Sequence, residues 1–128
     1  MSCAYDLLIG MQKNTQAINT YVKNERFFFV QLTKADYAKY HYLIGMEGIN
    51  IRYMNKITGG DQDGKFYKMM EFAGDGWKDL MTGNRNMDRA GDVADPWYTR
   101  DFGATWRDVS AGCEGLLEYL LAMERDKL

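Results

Sequence analysis

The sequence predicts an α/β fold with a mostly parallel, four-stranded sheet, on three observations. Short apolar runs of strand type alternate along the chain with segments of helical period. The chain closes on a long amphipathic run whose apolar positions recur at helix spacing. With 128 residues, 46% of them hydrophobic and 27% charged, it is long enough for one core and too short for two, so a single domain over residues 1–128 is expected.

Taken in order, residues 4–11 read as a short buried strand. Residues 15–23 follow as a helix, with Ile18, Tyr21 and Val22 on one side and Asn14 or Thr15 as its cap. Residues 27–32 form a second, aromatic strand, and Thr33 opens a turn of helix that runs through Tyr37. Residues 42–46 are a third strand, short and apolar enough to be buried on both faces. Over 47–57, Ile49, Tyr53 and Ile57 recur every four positions, and Gly59-Gly60 supplies the left-handed stop that helices favour. Residues 66–72 suit a fourth strand better than a three-turn helix, although periodicity alone leaves both open.

The stretch 73–91 is rich in Gly, Asn and Asp and exceeds the roughly 12–15 residues usual for a structureless connection. It reads as a mobile insertion or a functional lid, with Trp77, Leu80 and Met81 anchoring a small local helix. The last element is the clearest. Phe102, Trp106, Val109, Cys113, Leu116, Leu117 and Leu120 fall at steps of three and four, one apolar stripe on a helix of about five or six turns. Cys113 on that stripe is expected to be a small core residue.

Tyr5-Asp-Leu-Leu-Ile-Gly-Met11 and Tyr40-His-Tyr-Leu-Ile-Gly-Met46 agree at five of seven positions. A β-α unit repeated in a parallel sheet would look like this, as would chance similarity between two buried strands or a scrambled gene start.

Charge and cysteine content narrow the function. Lys and Arg total 16 against 18 for Asp and Glu, a net charge of -2, so no general attraction to nucleic acid or anionic lipid is expected. No stretch fits a signal peptide or a membrane span, and the expected location is cytoplasmic, with both thiols free and reduced. Two distant cysteines, Cys3 and Cys113, and the single His41 are too few soft ligands for a zinc site, so no metal is expected.

Asp95-Pro96-Trp97-Tyr98 stands directly before the last helix. Pro96 disfavours helical geometry at residue 95 and holds the loop extended, which aims the carboxyl. The plainer alternatives are an Asp-Pro turn that merely leads into the helix, and edge aromatics that pack on the Trp77 segment.

From Gln31 to Leu120 the chain resembles the low-molecular-weight protein-tyrosine phosphatases through landmarks in the right order. Gln31-Leu-Thr-Lys-Ala-Asp-Tyr37 is similar to the segment ahead of the family's third strand, and Tyr42-Leu-Ile-Gly-Met46 to that strand. Asn50-Ile-Arg52 is similar to the Asn-Leu-Arg of the following helix. Asp95-Pro-Trp-Tyr98 matches the Asp-Pro-Tyr-Tyr loop, and Asp101-Phe102 through Gly112-Cys113-Glu-Gly-Leu-Leu117 resembles the closing helix. The resemblance implies a three-layer sandwich with an atypical N-terminal β-α segment at 1–30, a phosphatase-like region at 31–128 and no cofactor. It makes Asp95 the general acid that protonates a departing phenolate, with Trp97 and Tyr98 against the substrate ring.

The family attacks phosphorus with the thiolate of a C-x5-R loop, whose Arg grips two phosphate oxygens. Here Ile9 stands six residues beyond Cys3 and Tyr119 six beyond Cys113, so the motif is absent. Nor does a Gly-rich or Ser/Thr-rich cradle follow Met11. The expectation is therefore a phosphatase-like protein that is inactive or truncated for want of nucleophile and phosphate clamp. The alternative is a non-catalytic binding module that uses the Asp95 to Tyr98 cleft, or an open sheet edge, for phosphotyrosine, another aromatic ligand or self-association.

Overall fold

The computed structural model describes residues 7–10, 18–23, 26–85 and 87–126, with the backbone alone described at 7–10, 18–23, 26–31 and Trp97. It divides into two compact units, Met1–Tyr67 and Lys68–Leu128. The described residues open with three strands in succession, alternate strand and helix from 26 to 68 as the α/β reading expects, and end in helical elements alone.

The first unit carries β1 (Leu7–Gly10), β2 (Ile18–Lys23), β3 (Arg26–Gln31), α1 (Lys34–Lys39), β4 (Tyr42–Gly45), α2 (Gly48–Thr58) and the start of β5 (Phe66–Lys68). The sheet order is β3-β2-β1-β4-β5. Two corrections follow. The sheet has five strands, and it is not mostly parallel at its N-terminal side, since β1 with β2 and β2 with β3 pair antiparallel. Residues 18–23 are strand where a helix was expected, and residues 15–17 of that expectation lie outside the described residues. The physical reason is visible in the pairing: β-branched Ile18, Thr20 and Val22 alternate at period two, and every residue of β2 has a partner in the aromatic β3.

The repeat has a spatial counterpart. β1 and β4 run parallel, with Leu7, Leu8, Ile9 and Gly10 facing Tyr42, Leu43, Ile44 and Gly45, so each rung joins the two members of the repeat. Among the described residues the next elements differ, a strand after β1 and a helix after β4.

All four residues of β4 are buried, as expected of a strand covered on both faces. Its exit is tight. Asn50 Oδ1 accepts hydrogen bonds from the backbone N–H groups of Met46 at 3.1 Å and Glu47 at 2.9 Å, which supplies partners for donors that the start of α2 would leave open. A Cβ on Gly45 would stand 2.9 Å from Asn50 Cβ, so this turn closes only over glycine. α2 ends at Gly59 with φ 83, the left-handed cap that the sequence announces.

In the second unit, β5 yields after Lys68 to a 3₁₀ turn over Met69–Glu71, so the fourth strand expected over 66–72 is cut short. The cause is local: the Glu71 carboxylate turns back to accept the Lys68 N–H at 2.7 Å. The expected local helix in the Gly-rich stretch is α3 (Gly76–Met81). α4 (Pro96–Thr99) and α5 (Phe102–Asp126) complete the unit.

α5 packs on the 3₁₀ turn through Gly112, Gly115, Leu116 and Tyr119, its buried residues. A Cβ on Gly115 would overlap the Phe72 carbonyl, and one on Gly112 would stand 2.8 Å from Met69 Sδ. Absent side chains let the helix approach this closely, and Tyr119 then meets the Phe72 ring edge-on at 5.5 Å. The apolar stripe expected to be core is only partly so. Leu116 is buried, whereas Phe102, Trp106 and Leu117 are exposed, and Cys113 is exposed as well. No helix among the described residues is long and apolar enough to cross a membrane.

Candidate functional site

The segment that carries Asp95 is built from its flanks inward. Val93 is buried. Ala94 is tied to α5 at both of its backbone groups, its N–H donating to Asp108 Oδ2 at 2.8 Å and its carbonyl accepting from Thr105 Oγ1 at 2.6 Å. Residue 95 thus begins at a fixed point.

Pro96, the only proline of the chain, stands first in α4. A missing N–H costs nothing there, because the first turn leaves that donor unused, and the ring presets the helical φ. The Asp95 carbonyl accepts from Tyr98 N at 3.1 Å, Thr99 N at 3.0 Å and Thr99 Oγ1 at 3.2 Å. The extended loop expected here is therefore corrected: Asp95 heads a helical turn. Its restriction by Pro96 remains, since the residue before a helix need not be helical itself. Arg100, at φ 58, takes the left-handed conformation between α4 and α5, and Asp101 Oδ1 caps α5 by accepting from Ala104 N at 3.1 Å.

Asp95 is half-buried, whereas Tyr98 is 73% exposed and turns its ring to solvent. Trp97 shares the turn, and its side chain lies outside the described residues. Asp95 and Tyr98 are thus brought together by one turn of helix. Thr105 and Asp108, which fix this turn, escaped sequence reasoning. The signal for them is weak: two polar residues at i and i+3 on an amphipathic helix that carries several others.

The same unit holds two buried charges. Lys68 reaches Asp92 Oδ1 at 2.8 Å and the Ala90 carbonyl at 2.6 Å. Glu71 is gripped by Arg85, with Nε to Oε1 at 2.7 Å and Nη2 to Oε2 at 3.1 Å. These contacts pin the stretch 73–91. A cavity of about 180 Å³ beside them is lined by Met70, Glu71, Leu80, Arg85 and Arg89. Arg85 spends its fork on Glu71, which takes the place a phosphate would need.

Among the described residues Cys113 is the one cysteine. Desolvation by its surroundings pushes its thiol above the ordinary range, opposite to the shift a nucleophilic cysteine needs. Cys3 lies outside the described residues. No group of three or more His, Cys, Asp or Glu among the described residues is placed to hold a metal ion.

No protein-family model matches the chain. Over 82 residues it is 28% identical to the low molecular weight protein-tyrosine-phosphatase PtpA of Staphylococcus epidermidis. It is 27% identical over 82 residues to PtpA of Staphylococcus haemolyticus. Each match covers 64% of this chain and 44% of the relative, so the chain spans less than half the length of the curated relatives it matches. Among solved structures it is similar to SP-PTP, the low molecular weight protein tyrosine phosphatase from Streptococcus pyogenes, with a TM-score of 0.53 and 27% identity over 77% of this chain and 53% of that one. YfkJ from Bacillus subtilis is similar in fold, with a TM-score of 0.54 and 23% identity over 77% of this chain and 52% of its own. In sequence and in α/β fold the chain thus resembles low-molecular-weight protein-tyrosine phosphatases across 64% to 77% of its length.

Proposed function

We propose that this chain is a phosphatase-like protein that retains the proton-delivering arm of low-molecular-weight protein-tyrosine phosphatases and does not itself hydrolyse phosphomonoesters. The observation that carries the reading is the absence of any Cys followed six residues later by Arg. Attack on phosphorus needs a thiolate, and its charge needs stabilising donors nearby. Among the described residues the element after β1 is the strand β2, and none of them offers a helix N-terminus there to hold an anion.

Asp95 is the general acid of this reading, positioned by Thr105 and Asp108 through Ala94. A well-placed acid is worth ~10²- to 10⁴-fold, but only on a bond that something else is breaking. The three-layer sandwich and the cytoplasmic setting belong to the same proposal, supported by the fold likeness and by the absence of paired cysteine spacing. Purified protein is expected to leave p-nitrophenyl phosphate intact. Turnover above buffer that disappears in Asp95→Asn would refute the reading.

A second reading rests on the exposed Tyr98 ring: a non-catalytic module that takes an aromatic ligand between Trp97 and Tyr98. A phosphotyrosine dianion would bring like charge beside the Asp95 carboxylate, so a neutral phenol is the better guest. Titration with phenol and with phenyl phosphate, read by tryptophan fluorescence, separates the two guests. Equal spectra for wild type and Tyr98→Ala would remove this reading.

A further inference from the structure

We propose that α5 is a self-association surface that pairs antiparallel with α5 of a second copy of this chain. The exposed large apolar residues of α5 are Phe102 at 75%, Trp106 at 73%, Leu117 at 57% and Leu121 at 48%. Their placement has a symmetry that a merely greasy face would lack. Phe102 and Leu121 lie equally far from the midpoint between Ala111 and Gly112, and so do Trp106 and Leu117. Ser110 and Cys113 are placed in the same way.

Two rows at i+4 spacing, Phe102-Trp106-Ser110 and Cys113-Leu117-Leu121, therefore exchange under a two-fold axis perpendicular to the helix. Rows of this kind are the ridges that interlock when helices pack, and a two-fold is what closes a homodimer. Phe102 of one copy meets Leu121 of the other, and Trp106 meets Leu117. The overlap, about 20 residues, makes a paired rod of roughly 30 Å.

Charge complementarity selects this occupant. A groove between α3 and α5 is lined by Trp77, Gly115 and Leu117 with Glu114 and Glu118, and neither glutamate makes an ion pair among the described residues. Arg107 is 72% exposed, its pair with Asp101 stretched to 3.9 Å. Under the same two-fold, Arg107 of one copy comes level with residue 116 of the other, midway between Glu114 and Glu118. These flanks meet on the same side in an antiparallel pair, so each Arg107 enters the other copy's acidic groove. The apolar rows supply affinity, and the charges fix direction and register.

Sedimentation equilibrium on the full chain over a concentration series tests this. The expected mass is that of two copies at high concentration, with Trp106→Glu and Leu117→Glu each weakening association at least tenfold. Both sites are exposed, and circular dichroism of the monomer should be unchanged. Arg107→Glu alone and Glu114→Lys with Glu118→Lys should each weaken it roughly tenfold, and combining all three should restore it to within about threefold. A monomer at every concentration overturns the proposal. So does a dimer indifferent to the α5 substitutions, a failure of the charge swap to rescue, or a monomer that associates only with a different polypeptide.

Discussion

Tyr37 shows how single side chains hold the turn between α2 and β5. Its hydroxyl donates to Asp61 Oδ1 at 2.7 Å and accepts from the Asp63 N–H at 2.6 Å. The Asp61 carboxylate in turn accepts from the N–H groups of Lys65 at 2.7 Å and Phe66 at 3.1 Å. Tyr37→Phe is expected to cost about 1–2 kcal/mol in chemical denaturation, since it removes one hydrogen bond and leaves the other's donor unmatched. Desolvation by burial pushes the Tyr37 phenol above its ordinary value of 10.0; the Asp63 N–H pulls it back in part, and the hydrogen bond and charge of Asp61 push it up again. The folded state thus keeps a proton that the unfolded chain gives up first. Stability should hold below pH ~10 and fall as pH rises from there through the higher folded value. Tyr37→Phe should flatten that fall, and an unaltered alkaline slope in the variant would assign it elsewhere.

At this scale the sequence was legible where a motif marked the residue. Asn50 and Asp95 stand out through the landmarks they sit in, and both hold defined places. Asp61, Thr105 and Asp108 carry no such mark. Apart from the Tyr37 hydroxyl on Asp61, their partners are backbone groups brought together by the fold, and a backbone group leaves no trace in the residue that faces it. The posture of Asp95 was also hidden. Proline after aspartate is compatible with an extended loop and with the first turn of a helix, and the Thr99 N–H and hydroxyl decide it by bonding back to the Asp95 carbonyl.

Among elements, α5 separates what periodicity can and cannot reveal. Its helical state is plain from the three-and-four spacing of large apolar residues, and the helix spans Phe102–Asp126. Its buried face is not plain, because two of its four buried residues are glycines, which hydropathy does not count as core. Close backbone approach, more than side-chain volume, sets this packing. Gly115→Ala should therefore destabilise the protein by about 1–3 kcal/mol despite alanine's better helix propensity, because the new methyl meets the Phe72 backbone, which cannot turn away. Gly112→Ala meets mainly the flexible Met69 thioether and should cost less. Thermal melts that rank the two in the opposite order would contradict this account of the interface. β2 failed for the converse reason. Its apolar residues fit helix and strand spacing alike, and the pairing with β3 decided between them.

For the molecule as a whole, the stretch 73–91 and the absence of a C-x5-R motif from the sequence matter most. The Gly-rich stretch carries no sign of its anchors in sequence, yet the pairs Glu71–Arg85 and Lys68–Asp92 hold it. Glu71 is 6% exposed, so Glu71→Ala deprives the half-buried Arg85 of this carboxylate and the Lys68 N–H of its acceptor, and should cost about 1–3 kcal/mol, measurable as a lowered urea midpoint. A midpoint within error of wild type would show that the pair contributes nothing net.

The proposed function rests on a division: Asp95 stands at the head of α4, while no Cys of the sequence is followed six residues later by Arg. The most direct measurement is calorimetric titration of the chain with orthovanadate and with inorganic phosphate. The account predicts no saturable heat for either anion, in wild type and in Asp95→Asn alike. Stoichiometric, saturable binding of vanadate that is lost when Cys3 is changed to serine would contradict it.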